Sequence, residues 1–256
     1  MSLSIATWNV NSVRSRLPHL LDWLKEDAPD IVLLQELKCM DEQFPREAVE
    51  ELGYNLATHG QKTYNGVAIL SKFPLEDVVR GIPGYDDPAA RYIEALATTP
   101  QGVMRVASVY VVNGSEVGSE KYTYKLAFLD KFCTHMQTLR GYDEILVVGG
   151  DYNIAPTDAD VANPKAWAGS VLTSDEVRNA FRRLLNLGLY DADANGHQLS
   201  WWDYRAGAFA KNDGLRIDHL LLSPQAMDKL SSCHVAIKTR ALEKPSDHAP
   251  VVGIFK

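Results

Sequence analysis

Apolar runs separated by short polar breaks divide this chain into segments with two distinct periods. Leu3 to Val10 alternates like a strand, with Trp8 and Val10 on one side and Asn9 and Asn11 on the other. Leu17, Leu20, Leu21 and Leu24 then recur at helical spacing behind Pro18, a residue suited to a first helical turn. Asp30 to Glu36 predicts a second buried strand, and Phe44 to Leu52 a helix ended by Gly53. Val67 to Leu70, Tyr92 to Ala97 and Met104 to Val111 predict consecutive strands broken by Gly and Pro. A long helix is expected from about Tyr122 to Leu139, with Leu126, Leu129, Cys133, Met136 and Leu139 as its stripe.

That helix leads into ILVVGGDYNIAP, Ile145 to Pro156. Four β-prone residues end there in two glycines, and Asp151 and Asn153 follow at a spacing that sends both side chains to one side of an extended chain. Taken alone, the run also fits a turn before Pro156. Thr173 and Glu176 are spaced as a capping box before Val177, Ala180, Phe181 and Leu184. Arg216 to Leu222 and Ala249 to Phe255 supply the last strands, with a short helix after Ser223 and Pro224. No Pro-, Gly- or Ser-rich boundary divides the chain, so residues 1–256 are expected to form one α/β domain with two sheets packed between helices.

Composition narrows the setting more than the chemistry. With 256 residues, 46% of them hydrophobic, the chain can bury a large core without disulfides or a structural metal. Cys39, Cys133 and Cys233 lie about a hundred residues apart and have no metal-ligand spacing, which suits a reduced interior. No apolar stretch approaches the ~20 residues that span a bilayer, and the first residues carry no basic leader. A soluble cytoplasmic protein with no membrane partner is expected. The balance of 33 acidic against 26 basic residues, net −7, taken alone disfavours a polyanionic partner. A site for a divalent cation also concentrates carboxylates, so the net charge decides little.

Polar groups stand where the apolar runs end. Asn9, Glu36, Tyr110, Asp151, Asn153, Asp218, Asp247 and His248 form the candidate set. Read singly, Glu36 fits a solvated strand end and Tyr110 a core tyrosine. Asp218 lies inside the apolar GLRIDHLLLS, where a carboxylate is costly unless paired, and His248 is the best partner; the parity of His219 points it away. Together the set suits phosphodiester hydrolysis. Glu36 can hold Mg2+ or Mn2+ as a hard cation. Asp151 can orient or deprotonate water, and His248, paired with Asp218, can stabilise the transition state with Asn153 and Asn9. No nucleophile elbow suggests a covalent intermediate. An EF-hand reading of Asp151 and Asn153 fails at Ala155 and Pro156, and Gly149 and Gly150 make no dinucleotide fingerprint.

TWNVNSVRSRL, IVLLQELK, YNGVAILSK, VYVVNG, GGDYNIAPTDADVANP, LSWWDYR, KNDGLRIDHLLLS and SDHAPV, in this order over the whole length, closely resemble the exonuclease III family of apurinic/apyrimidinic endonucleases. The resemblance implies a four-layered α/β sandwich of the DNase I-like (endonuclease/exonuclease/phosphatase) fold. It implies an Mg2+-dependent DNA repair nuclease, acting as a monomer on duplex DNA with abasic sites or damaged or recessed 3′ ends. Cleavage 5′ to the abasic site is expected, with 3′-to-5′ exonuclease and 3′-phosphatase or phosphodiesterase activity. Glu36 falls on the main metal ligand, with Asn11 and Asp247 near the metal; Asp151 falls on the residue that activates the nucleophile, and Asn153 on its partner. Asp218 and His248 match the charge-paired dyad, with Asn9 and Tyr110 at the remaining active-site positions. Either Tyr110 or Asp151 could be the base. Trp201, Trp202 and Leu215 fall on the pocket for a flipped-out abasic sugar, and Asn113, Asn163, Lys211 and Arg216 on substrate-binding segments. Other phosphoesterases of the superfamily, acting on inositol polyphosphates or sphingomyelin, would share the core set, and a catalytically silent DNA-binding protein is the rival from another class.

Overall fold

The structure is a computed structural model and describes residues 2–256. In chain order it contains β1 (Leu3–Asn9), α1 (Leu17–Glu26), β2 (Ile31–Gln35), α2 (Arg46–Glu50), β3 (Asn55–His59), β4 (Val67–Ser71), β5 (Leu75–Arg80), β6 (Tyr92–Thr99) and β7 (Gly102–Tyr110). There follow α3 (Glu120–Arg140), β8 (Ile145–Asp151), α4 (Pro164–Trp167), α5 (Asp175–Asn186), β9 (Tyr190–Asp191), β10 (Asp218–Leu222), α6 (Pro224–Met227), β11 (Leu230–Val235) and β12 (Val251–Phe255).

Two six-stranded mixed sheets, β11-β12-β1-β2-β4-β3 and β5-β6-β7-β8-β10-β9, pack face to face. The central core joins Ile5, Ile31, Leu33 and Ile69 of the first to Ile93, Val106, Val147 and Leu220 of the second. The outer face of the first sheet buries Ala6, Trp8, Val32 and Leu34 under Leu20, Trp23 and Leu24 of α1. Trp8 and Trp23 meet edge to face at 5.4 Å. The outer face of the second buries Ala107, Val109 and Val148 under Phe128, Phe132 and Met136 of α3 and Phe181 of α5. The expected four-layered α/β sandwich is therefore the observed fold.

Five local expectations are corrected. The α3 stripe runs through Phe128 and Phe132 as well as Leu129 and Met136, while Leu126 is only half buried. The helix expected from Phe44 shrinks to α2 behind a 3-10 turn, Asp41–Gln43. The Thr173 capping box does not form: α5 begins after Ser174, whose hydroxyl pairs with the Tyr122 hydroxyl (2.5 Å), and Thr173 donates to the Trp167 carbonyl instead. The last-but-two strand starts at Asp218 rather than Arg216.

The fifth concerns the glycine pair, which lies inside β8 rather than ending it. A Cβ on Gly149 would stand 2.6 Å from Leu33 Cδ1 and 2.9 Å from Thr7 Cβ of the facing sheet. One on Gly150 would stand 2.1 Å from the backbone carbonyl of Val109 in the neighbouring strand. Glycine is required at both positions because other backbone or side chains come too close. Gly150→Ala is thus expected to cost several kcal/mol, more than the ~1–3 kcal/mol of ordinary overpacking, because the clash is with main chain. Thermal unfolding measured beside Gly81→Ala, whose Cβ position is open and whose loss comes only from its left-handed backbone (φ 76), roughly 1 kcal/mol or more, checks it; a loss no larger than that of Gly81→Ala would refute it.

Candidate active site

Strand direction brings the polar tips to one edge. β1 and β2 are parallel, with Asn9 opposite Gln35, and β7 and β8 are parallel, with Tyr110 opposite Asp151. Four C-terminal strand ends therefore lie together. β10 runs antiparallel to β8 with Asp218 opposite Asp151, and β12 antiparallel to β1, so both of these strands begin at the same edge. Just past the strand ends, Asn11, Glu36 and Asn153 adopt left-handed backbone (φ 45, 52 and 50). Such conformations cost roughly 1 kcal/mol or more outside glycine and gather where a side chain must be aimed.

Asp151 lies at the centre and is almost fully buried. Its Oδ1 accepts from the Asn153 N–H (2.9 Å); its Oδ2 accepts from Asn9 Nδ2 (2.9 Å) and Asn153 Nδ2 (3.1 Å). Asn9 Nδ2 also donates to Glu36 Oε1 (2.9 Å), and its Oδ1 accepts from the Asn11 N–H (3.0 Å). Burial pushes the Asp151 carboxyl up to about 7; His248 opposes this and the Asp218 charge adds to it. A carboxylate so shifted is a far better base near neutrality than one at ~3.9.

His248 Nδ1 lies 2.9 Å from Asp218 Oδ2, and its Nε2 lies 3.7 Å from Asp151 Oδ2. Burial would lower the imidazole, but the carboxylates of Asp218 and Asp151 outweigh it and hold the ring up at about 10, so it is a cation at neutral pH. Ser200, which sequence reasoning missed, donates to Asp218 Oδ2 (2.6 Å) and accepts from the Asp218 N–H (3.1 Å). Its only sequence signal is that it precedes the tryptophan pair. Tyr110 is pushed well above the usual phenol range by burial and by the charges of Glu36 and Asp151, against the Arg91 guanidinium 5.0 Å from its ring centroid. Its O–H therefore stays protonated and donates.

A cleft of about 660 Å3 opens over these groups. Glu36, Tyr110, Asp151, Asn153, Asp247 and His248 line it, with Asn113 and Trp201 on its walls. Asn113 Nδ2 donates to Asn153 Oδ1 (3.2 Å). Asp247 accepts from Asn11 Nδ2 (2.9 Å) and Trp201 Nε1 (3.0 Å), and Trp201 stands edge to face on Trp167, a wall residue that was not foreseen. Lys38 lies 2.8 Å from Glu36 Oε2 and also donates to Asn11 Oδ1.

The other expected substrate contacts sit elsewhere. Trp202 is buried beside Phe209 and donates to Asn212 Oδ1 (3.1 Å), and Leu215 is fully buried beneath Trp201, with which it exchanges backbone bonds. Asn163 caps α4, and Lys211 is exposed on a turn outside the cleft wall. Arg216 was expected to open β10 and to lie on a substrate-binding segment. Because the strand starts only at Asp218, Arg216 turns under the sheet, where it binds Asp160 (2.7 Å), Asp191 (2.7 Å) and His219 Nδ1 (3.1 Å). His219 Nε2 donates to the Ile154 carbonyl (2.9 Å), so this buried network backs the turn after Asn153.

An open cleft with a raised carboxylate facing an imidazolium–carboxylate pair, at the edge of two packed sheets, defines the class. The chain belongs to the Endonuclease/Exonuclease/phosphatase family, whose profile matches residues 6–248. Among its relatives, exodeoxyribonuclease III of Haemophilus influenzae is 35% identical, covering 99% of this chain and 100% of its own. The structure of the 3′-5′ exonuclease NExo from Neisseria meningitidis superposes with a TM-score of 0.94 at 42% identity, covering 99% of this chain and 100% of that one. An AP endonuclease from Archaeoglobus fulgidus gives 0.94 at 36% identity, covering 99% of each.

The Arg216 network has a measurable consequence. Burial alone would raise Asp160 and Asp191, but Arg216, with His219 on Asp191 and His197 on Asp160, holds both below the usual carboxylate range. Carboxylates depressed in this way contribute stability that is fully present above the unfolded value of ~3.9 and is lost as pH falls below it, through the depressed folded values. Arg216→Met is expected to cost about 3–5 kcal/mol at pH 7, because two buried charges lose their partner. Denaturant unfolding should show the deficit narrowing as pH falls below about 4; a pH-independent deficit would contradict the assignment.

Proposed function

We propose that this chain is a DNA repair nuclease that hydrolyses phosphodiesters by direct attack of water. It cuts duplex DNA 5′ to abasic sites and removes nucleotides or phosphate from 3′ ends. The observation that carries the reading is the opposition of Asp151 to the His248–Asp218 pair across 3.7 Å. A base and a cation so close cannot both serve the fold cheaply, yet they suit a reaction in which one takes a proton and the other meets the charge that develops on phosphate oxygens. Names borne by full-length relatives, exodeoxyribonuclease III, a 3′-5′ exonuclease and an AP endonuclease, support the substrate class. All members of the site come from one chain, so a monomer suffices.

Asp151 is the base in this reading. Tyr110, held in its neutral form, donates to a phosphate oxygen instead. Asn9 ties Asp151 to Glu36, and Asn153 presents its amide beside the phosphate. Trp201 and Trp167 form the apolar wall against which an extruded abasic sugar packs.

Oxygen donors fit a hard divalent cation at Glu36, with Asn11 and Asp247 beside it. The ligand atoms of Asp151, Asp218 and His248 lie within 4.8 Å of one another, but a charged imidazole cannot ligate and Asp218 is already spent on His248 and Ser200. Mg2+, with Mn2+ able to substitute, would when bound neutralise charge on the phosphate and on the leaving oxygen.

With Mg2+, the protein should incise a duplex carrying one abasic-site analogue and shorten an intact duplex from its 3′ end; EDTA and Asp151→Asn should each reduce both by about 100-fold or more. Hydrolysis of phosphoinositides but neither DNA would sink the proposal, and attack on the 3′ end alone would remove its abasic-site half. The rate is expected to rise with pH through about 7, as Asp151 loses its proton, and to fall through about 10, as His248 loses its own. Asp218→Asn removes the charge that raises His248, so the alkaline limb should move to lower pH; an unmoved limb in a pH–kcat series would break the assignment.

A further inference from the structure

Behind the cleft, α3 buries a lysine that the proposed chemistry leaves unused. Lys125 is fully buried, although it sits on a helix whose neighbouring core positions are apolar. Its Nζ donates to the backbone carbonyls of Asn113 (3.0 Å), Asn153 (2.7 Å) and Val171 (2.7 Å). An ammonium has three N–H groups, so these acceptors use all of them. Burying a charge against neutral carbonyls is expensive, and a methionine would fill the space without that cost. The three acceptors therefore matter more than the packing.

They come from three segments that are remote in sequence: the turn after β7, the turn after β8, and the link between α4 and α5. Asn113, Asn153 and Val171 all line the cleft. The turn at Gly114 is shaped around the lysine: its backbone is left-handed (φ 101), and a Cβ there would stand 3.2 Å from Lys125 Cδ. Asn153 is gripped from both directions, since its carbonyl accepts from Lys125 while its N–H donates to Asp151 Oδ1 (2.9 Å). Its side chain then meets Asn113 Nδ2 (3.2 Å), which belongs to another segment on the same ammonium.

We propose that Lys125 is a positioning residue for phosphodiester hydrolysis, which clamps the Asn113, Asn153 and Val171 segments into one rigid wall and so fixes the Asn153 amide against Asp151. The proposal rests on the nuclease reading.

The test compares Lys125→Met, which keeps the volume and removes the donors, with Lys125→Arg, which restores donors, on the duplex that the wild type cleaves, well below each variant's Tm. K125M is expected to lower kcat by about 10- to 100-fold, the scale of a small misplacement of reacting groups. KM should stay within about threefold, and K125R should regain part of kcat. If K125M does not fold, Lys125→Gln, which keeps two donors, is judged by the same criteria. A kcat within about threefold of wild type, or a loss confined to KM or Tm, overturns the proposal. A wild type that cuts neither duplex overturns the nuclease reading and this proposal together, whereas an active wild type with an unaffected variant overturns this proposal alone.

Discussion

The site depends on hydrogen bonds that cross between the two sheets. Asn9 ends a strand of the first sheet, yet its amide donates to Asp151 of the second. His248, just before a first-sheet strand, pairs with Asp218 of the second. Neither sheet alone holds a carboxylate opposite an imidazolium; the arrangement exists only where the sheets meet. The distance between them therefore sets the geometry of the site, and glycine at 149 keeps it short, since any Cβ would run into Leu33 and Thr7 of the facing sheet.

Burial is what makes the same contact reactive. A solvated aspartate and histidine would titrate near ~3.9 and ~6.5 and interact weakly. Enclosed between sheets, the carboxylate moves up and the imidazole moves up with it, because one suffers mainly from desolvation and the other is surrounded by carboxylates. A pH range opens in which Asp151 is a base while His248 is still a cation. The stability cost of burying both is spread over neighbours that take part in no proton transfer: Ser200 on Asp218, Asn9 and Asn153 on Asp151.

What could be read from the chain followed the same physics. Polar residues at the ends of apolar runs stood out as a set: singly Glu36 fitted a solvated strand end and Asp151 with Asn153 a turn, yet these groups do meet in one cleft. The strands that escaped notice, β3, β5, β9 and β11, are the four sheet edges. Half solvated, they mix Asn, Glu, Asp and Ser into their runs and lose the apolar signature. Arg216 was misplaced for a different reason: strand parity holds only inside a strand, and the regular extension begins two residues later. Ser200 and Lys125 could not have been picked out, because a serine before a tryptophan and a lysine on an amphipathic helix are ordinary until the fold shows what surrounds them.

The two kinds of hidden residue differ in what they imply. Arg216 and its aspartates form a buried ion-pair network, and replacing such a network by apolar groups of matching shape would lose little. Lys125 has no such equivalent, because its partners are backbone carbonyls that exist whatever the sequence. Removing the lysine leaves three C=O groups, two of them buried, without this donor in three separate segments. Those turns carry the polar lip of the cleft, so loosening them changes where Asn153 points before it changes whether the sandwich folds.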